Sequence, residues 1–199
     1  MSGAGEPHAP GSASSSLRVL TVCTHNRTRS VMMAAMLESM LGGHLGAGRV
    51  VMTSAGFGPT GIPAIEDAVD AMSRRNLDVS GHRSQQVTPD LLGDFDVVLT
   101  AERDHVVKIA ALSPSVFRVT MTLPEFLRRA VADPFFASDE LSGWLTGLTA
   151  ERTAGQYLRD DIDEIADPTG SPSRVFEAAV VALEQQCVEA SGLLARACA

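Results

Sequence analysis

The stretch "LRVLTVCTHNRTRSVMMAAML", residues 17–37, decides the fold. Its first six residues, LRVLTV, are apolar and rich in β-branched side chains, with no regular polar alternation, the pattern of a strand buried on both faces of a parallel sheet. The run ends at Cys23, a short polar loop follows, and a helical pattern spans Ser30 to Leu41. In an open parallel sheet ligands bind beyond the carboxyl ends of the strands, so Cys23 stands where a site is expected. The helix opening near Arg29 and Ser30 turns its unpaired amide groups and the positive end of its dipole back on the loop. That makes a cradle for an anion and suitable surroundings for a sulfur nucleophile. Arg29 comes six residues after Cys23 and is followed by Ser30, so the loop has the size to wrap one tetrahedral oxyanion while the guanidinium closes it with paired hydrogen bonds.

Three further runs resemble the first: RVVMTS (49–54), FDVVLT (95–100) and VFRVT (116–120). Helical patterns lie between and after them, over Ala64 to Arg75, Arg103 to Leu112 and Leu123 to Val131. This alternation predicts an α/β fold, a four-stranded parallel twisted sheet flanked by helices on both faces. The chain closes with a long helix that starts near Pro172 and carries one apolar stripe through Val175, Phe176, Ala179, Val180, Leu183 and Cys187. Residues 17–199 are expected to form a single domain, and residues 132–165, which hold the only Trp and the only Tyr, an inserted, partly helical segment. The first sixteen residues are mostly Gly, Ala, Ser and Pro, read as a disordered tail and not as a signal peptide.

Composition narrows the function. The net charge of -8 argues against a general nucleic-acid surface, which needs clustered positive residues, but leaves room for a local anion site. No segment offers the roughly 18 consecutive apolar residues of a membrane span, so a soluble, cytoplasmic protein is expected. Three scattered cysteines make neither a disulfide framework nor a paired zinc site. Cys187 reads as core packing and Cys198 as part of a helix end, which leaves Cys23 as the thiol with chemistry to do.

"VCTHNRTRS" (22–30) resembles the phosphate loop of the low-molecular-weight protein tyrosine phosphatases, whose pattern is Cys-x-Gly-Asn-x-Cys-Arg-Ser. The resemblance continues through TSAGFG (53–58), LDVSGHRSQQVT (77–88), DVVLTAERDHVVKI (96–109), LPEFLRR (123–129) and DPTGSP (167–172). It implies a phosphomonoesterase that needs no metal or cofactor and acts on tyrosine-phosphorylated protein, in bacterial relatives often a tyrosine kinase. Cys23 would attack phosphorus and form a phosphocysteine, Arg29 would hold the equatorial oxygens, and Ser30 would hydrogen-bond the sulfur. Thr24, His25, Asn26, Arg27 and Thr28 would surround the bound group. Asn26 would shape the loop, with Ser54 and His82 as its partners.

The leaving oxygen needs a proton from a positioned acid. Two Asp-Pro pairs compete, Asp133-Pro134 and Asp167-Pro168, and Asp167 is favoured because the closing helix follows it directly, as in the family.

Three departures from the pattern stand out. His25 replaces the loop glycine, which predicts backbone strain there or a titratable donor at the mouth. Thr28 replaces the second loop cysteine, which removes any disulfide within the loop and leaves oxidised Cys23 without a local resolving partner. Phe57 supplies one aromatic wall, while Thr169 stands where the family has another. Phe135, Phe136 and Tyr157 either fold over the slot or pack a small core of the insertion. Two alternative functions remain open: a single-cysteine arsenate reductase, and a phosphoprotein-binding module with weak turnover. The reductase type that relays oxidation through mid-chain cysteines is disfavoured, because residues 75–100 contain none.

Overall fold

The computed structural model describes residues 16–136 and 139–198, so the tail expected over residues 1–16 lies, except for Ser16, outside the described residues. The first apolar run forms β1 (Leu17–Cys23), and α1 (Arg29–Leu45) follows the polar loop. β2 (Val50–Gly56), α2 (Glu66–Ser73) and the one-turn α3 (Pro89–Leu92) lead to β3 (Val97–Thr100) and α4 (Arg103–Leu112). The strands form one sheet in the order β2-β1-β3-β4, with every neighbouring pair parallel.

The lack of a polar face in β1 has its reason in the packing. Leu17 and Val19 join a core with Met33, Met36 and Leu37 of α1 and with Phe176, Val180 and Leu183 of the closing helix. Leu20 and Val22 face the other way, into a second cluster with Ala55, Val98 and Ile109. A strand covered on both sides gains about 1.5–3 kcal/mol for each fully buried aliphatic side chain on either face, which a half-exposed strand cannot match.

The fourth strand is displaced from its expected place. Residues Pro114–Val119 form a 3-10 helix, and β4 is Thr120–Thr122. Pro114 is preset for a helical turn, and the buried threonines of β4 escape a hydropathy reading. Their hydroxyls are satisfied internally, Thr120 donating to the Val116 carbonyl and Thr122 to the Asp163 carbonyl, each at 2.8 Å. β4 runs directly into α5 (Leu123–Ala132), where Thr122 caps the helix by accepting from the Glu125 amide at 3.1 Å.

Residues 132–165 carry α6 (Leu141–Gly147) and the one-turn α7 (Ala154–Tyr157), and α8 (Ser173–Cys198) closes the chain. Cys187 is fully buried in the main core, where burial pushes its thiol up, as expected of a packing cysteine. Cys198 ends α8, half-buried. No helix among the described residues is long and apolar enough to cross a membrane.

Candidate active site

The site is built where β1 stops. Cys23 pairs with Gly56 of β2 at the carboxyl edge of the sheet, and the loop 24–28 bridges it to α1. Cys23 is buried, with its Sγ 3.0 Å from Ser30 Oγ in the first turn of the helix. Asn26 holds the loop in shape. It is fully buried with φ 52°, a left-handed conformation that asparagine tolerates better than most residues. Its Nδ2 donates to Ser30 Oγ at 3.0 Å and to Ser54 Oγ at 2.8 Å, and its Oδ1 accepts from the Gln85 amide at 2.8 Å. His82 Nε2 lies 2.7 Å from the Asn26 carbonyl oxygen. Ser54 and His82 therefore both meet Asn26.

The expected strain at His25 is not found. Among the described residues only Asn26 and Asn76 are non-glycine residues with positive φ, and His25 projects outward as an exposed side chain. Neighbouring glycines make the room. A Cβ on Gly58 would come within 2.9 Å of the His25 ring, and one on Gly56 within 2.6 Å of the Asn26 backbone nitrogen.

Arg29 is almost wholly buried, and both its terminal nitrogens are paired. Its guanidinium forms an ion pair with Glu102, donates through Nη1 to the Ile165 carbonyl at 3.0 Å, and donates through Nη2 to Asp167 Oδ2 at 2.8 Å. A buried guanidinium needs such partners, since an unpaired one costs several kcal/mol. The structure thus brings Cys23, Arg29 and Asp167 to one place. Asp133 sits instead at the end of α5, where its carbonyl accepts from the Trp144 indole at 2.9 Å; no hydrogen bond or ion pair joins it to the loop among the described residues.

Glu102 and His105 went unnoticed in the sequence. Both belong to the start of α4, and β1–β3 pairing carries them to the loop. His105 Nδ1 accepts from the Glu102 amide at 3.1 Å, so the ring proton lies on Nε2, which donates to Thr24 Oγ1 at 3.1 Å. Burial drives the His105 pKa down to about 4, against the opposing pull of Glu102, and Arg29 and Lys108 add to the depression. His105 stacks on Phe57, with ring centroids 5.7 Å apart and an interplanar angle of 17°, and Lys108 Nζ lies 5.3 Å from the Phe57 ring centroid. Phe57 is accordingly a strut for the loop as well as a candidate wall. The sequence signal was ERDH (102–105), an acid at the helix entry with a polar residue three positions on, the spacing of a capping box.

The remaining expected residues divide. Arg27 donates from Nε to the Pro63 carbonyl at 2.9 Å, and its own carbonyl accepts from the Ile65 amide at 3.0 Å, tying the loop to the segment before α2. Thr169 donates from its hydroxyl to Thr28 Oγ1 at 3.1 Å. Tyr157 does not reach the slot: it is buried against Phe117 and Arg152, and burial pushes its hydroxyl pKa up. Phe135 packs edge-on against Trp144, and Phe136 is exposed. No group of three or more His, Cys, Asp and Glu side chains among the described residues is arranged to hold a metal ion.

Residues 18–146 match the family model of the low molecular weight phosphotyrosine protein phosphatases. The chain belongs to that family. Among its relatives, the low molecular weight protein-tyrosine-phosphatase Etp of Escherichia coli K12 is 27% identical over 143 residues, covering 71% of this chain and 92% of that protein. The probable low molecular weight protein-tyrosine-phosphatase EpsP of Ralstonia nicotianae is 33% identical over 118 residues, covering 59% of this chain and 77% of that protein. In fold, a crystal structure of a YwlE mutant from Bacillus subtilis superposes with a TM-score of 0.68, at 22% identity, over 90% of this chain and 99% of that chain. This member of the phosphatase family is thus a cysteine-based phosphatase of the hydrolase class. The match to the family model ends before Asp167.

Proposed function

We propose that this protein hydrolyses phosphotyrosine in a protein substrate through a phosphocysteine formed on Cys23. The observation that carries the reading is the convergence of three groups on one loop: a buried thiol 3.0 Å from Ser30 Oγ, and a buried Arg29 whose Nη2 meets Asp167 Oδ2 at 2.8 Å. The loop amides and Arg29 bind the phosphoryl oxygens and stabilise the charge of the loose transferring group. Cys23 Sγ attacks phosphorus in line, Asp167 protonates the leaving oxygen, and Ser30 Oγ stabilises the sulfur when water displaces it in the second step. In a bacterial cell the chemistry suits a tyrosine-phosphorylated signalling protein, including a tyrosine kinase.

The test is hydrolysis of an aryl phosphate without added metal, with arsenate and a thiol reductant run alongside. Wild-type turnover lost in Cys23→Ser supports the reading, and substantial hydrolysis by the variant rules out Cys23 as nucleophile. Arsenate reduction without ester hydrolysis would point to a reductase. Asp167→Asn is expected to slow an ester with a poor leaving group by about 100-fold or more and one with a good leaving group far less. If Asp133→Asn gives that pattern instead, the acid is misassigned.

A further inference from the structure

Two departures of this chain from its family's pattern meet each other. Thr28 stands where the resemblance implies a second loop cysteine and Thr169 where it implies an aromatic, and the hydroxyl of Thr169 donates to Thr28 Oγ1 at 3.1 Å although 141 residues separate them. The backbone amide of the same Thr169 donates to Asp167 Oδ1 at 3.1 Å, while Oδ2 accepts from Arg29. Thr169 is therefore bonded to the phosphate loop through its side chain and to the acid through its main chain.

We propose that Thr28 and Thr169 form a latch between the two loops that positions Asp167 and makes Oδ2 the oxygen that carries the transferred proton. The chemical half of this rests on the phosphatase reading above.

The acid loop has few other constraints at this point. Ile165 is fixed on both sides, its amide donating to the Ala101 carbonyl at 2.8 Å and its carbonyl accepting from Arg29. Beyond it, residues 168–171 make a turn, closed by Ser171 N–H donating to the Pro168 carbonyl at 3.0 Å with Gly170 at φ 77°. The Asp167 side chain retains 46% exposure, so neighbouring apolar packing alone does not set its direction. The latch supplies that direction together with the Arg29 contact to Oδ2.

An oxygen that accepts an amide N–H favours remaining an acceptor, which leaves the proton to the other oxygen. Oδ2 meets Arg29 Nη2, the group that phosphoryl oxygens would claim on binding, so substrate competes for the guanidinium and frees Oδ2 beside the scissile bond. In the first step the Sγ–P bond forms, the P–O ester bond breaks, and the Oδ2 proton passes to the departing oxygen. In the second, water attacks phosphorus and returns a proton to Oδ2, and the Sγ–P bond breaks to release phosphate and restore the sulfur. Thr28 and Thr169 touch neither bond and act as positioning residues.

The experiment compares Thr169→Val, Thr169→Ser, Thr28→Val and the double valine variant on two aryl phosphates, one with a good and one with a poor leaving group. Thr169→Val is expected to lower kcat about five-fold on the poor leaving group, the effect of one hydrogen bond, and under two-fold on the good one. Thr169→Ser is expected to restore the lost rate, and the double variant to be no slower than the slower single. Equal slowing of both esters, multiplicative effects in the double variant, or no effect of Thr169→Val overturns the proposal. Hydrogen exchange over residues 166–171 separates the latch from the chemistry. Faster exchange in both single valine variants supports the contact even if wild type hydrolyses neither ester, an outcome that would instead refute the phosphatase reading. Unchanged exchange refutes the latch.

Discussion

Asn26 commits its carbonyl and its whole side-chain amide to the loop: two donors to Ser30 and Ser54, one acceptor for Gln85, and a carbonyl against His82. Two costs follow from replacing it, and two substitutions separate them. Asn26→Ala loses the side-chain bonds and also places a Cβ residue without a local hydrogen bond at φ 52°, a penalty of about 1–2 kcal/mol. Asn26→Gly loses the same bonds but removes that penalty. Thermal unfolding should therefore rank wild type above Asn26→Gly and Asn26→Gly above Asn26→Ala; an equal fall in both would mean the left-handed backbone carries no cost. His105 sets the pH response at the same scale. Burial lowers its pKa from 6.5 to about 4, with Arg29 and Lys108 acting in the same direction and Glu102 and Asp104 opposing. Between those values the unfolded chain binds a proton that the folded chain does not. Stability from this group is thus complete above about pH 6.5 and is lost as the pH falls towards 4, with a limiting slope near 1.4 kcal/mol per pH unit. His105→Gln should flatten that part of a stability–pH profile, and an unchanged profile would show that His105 is protonated in the folded protein.

At the scale of elements, the site depends on how closely β2 passes the loop. Gly56 ends β2 opposite Cys23, and a methyl group there would stand 2.6 Å from the Asn26 nitrogen and 2.9 Å from the Cys23 carbonyl, both backbone atoms that cannot swing away. Gly56→Ala should therefore distort the cradle and lower kcat/KM on an aryl phosphate at least ten-fold, whereas Gly61→Ala, where a Cβ meets only open space but φ is 79°, should cost stability without that loss. The contrast shows what was legible in the sequence. β1, the loop and α1 are contiguous, so hydropathy and the Cys-to-Arg spacing point to the candidate nucleophile and the loop beside it. The intact apolar period predicts α4 over Arg103 to Leu112, its observed span. β4 was misplaced because its threonines are buried by hydroxyl bonds and not by hydropathy. Glu102 and His105 reach the loop only through β1–β3 pairing, and the Thr28–Thr169 contact spans 141 residues; no local pattern encodes either.

At the scale of the molecule, the segment 132–165 matters because the chain passes through it to reach Asp167. Its anchor is a buried cluster around Glu125, whose carboxylate pairs with Arg129 at 2.8 Å, faces Arg152 Nη1 at 3.3 Å and accepts from the Tyr157 hydroxyl at 3.2 Å. Arg152 also donates to the carbonyls of Phe117 and Thr120 and lies 4.1 Å from the Phe117 ring centroid, so one guanidinium ties this segment to the 3-10 helix, β4 and α5. Burial lowers the Arg152 pKa, the cost of keeping a cation in this place. Breaking a buried pair by removing one partner costs about 3–5 kcal/mol, whereas replacing both partners with apolar groups is often close to neutral. Arg152→Met should therefore lower Tm by roughly 6–20 °C for a chain of this length, and adding Glu125→Leu should recover part of the loss, though Arg129 and Tyr157 then lose their acceptor. Assayed well below the new Tm, Arg152→Met should hydrolyse an aryl phosphate within about two-fold of wild type, because Ile165 is fixed independently by Ala101 and Arg29. A large loss of kcat with Tm unchanged would reverse that reading: the segment would then set the position of the acid, and the anchors at Ile165 would be insufficient to hold it.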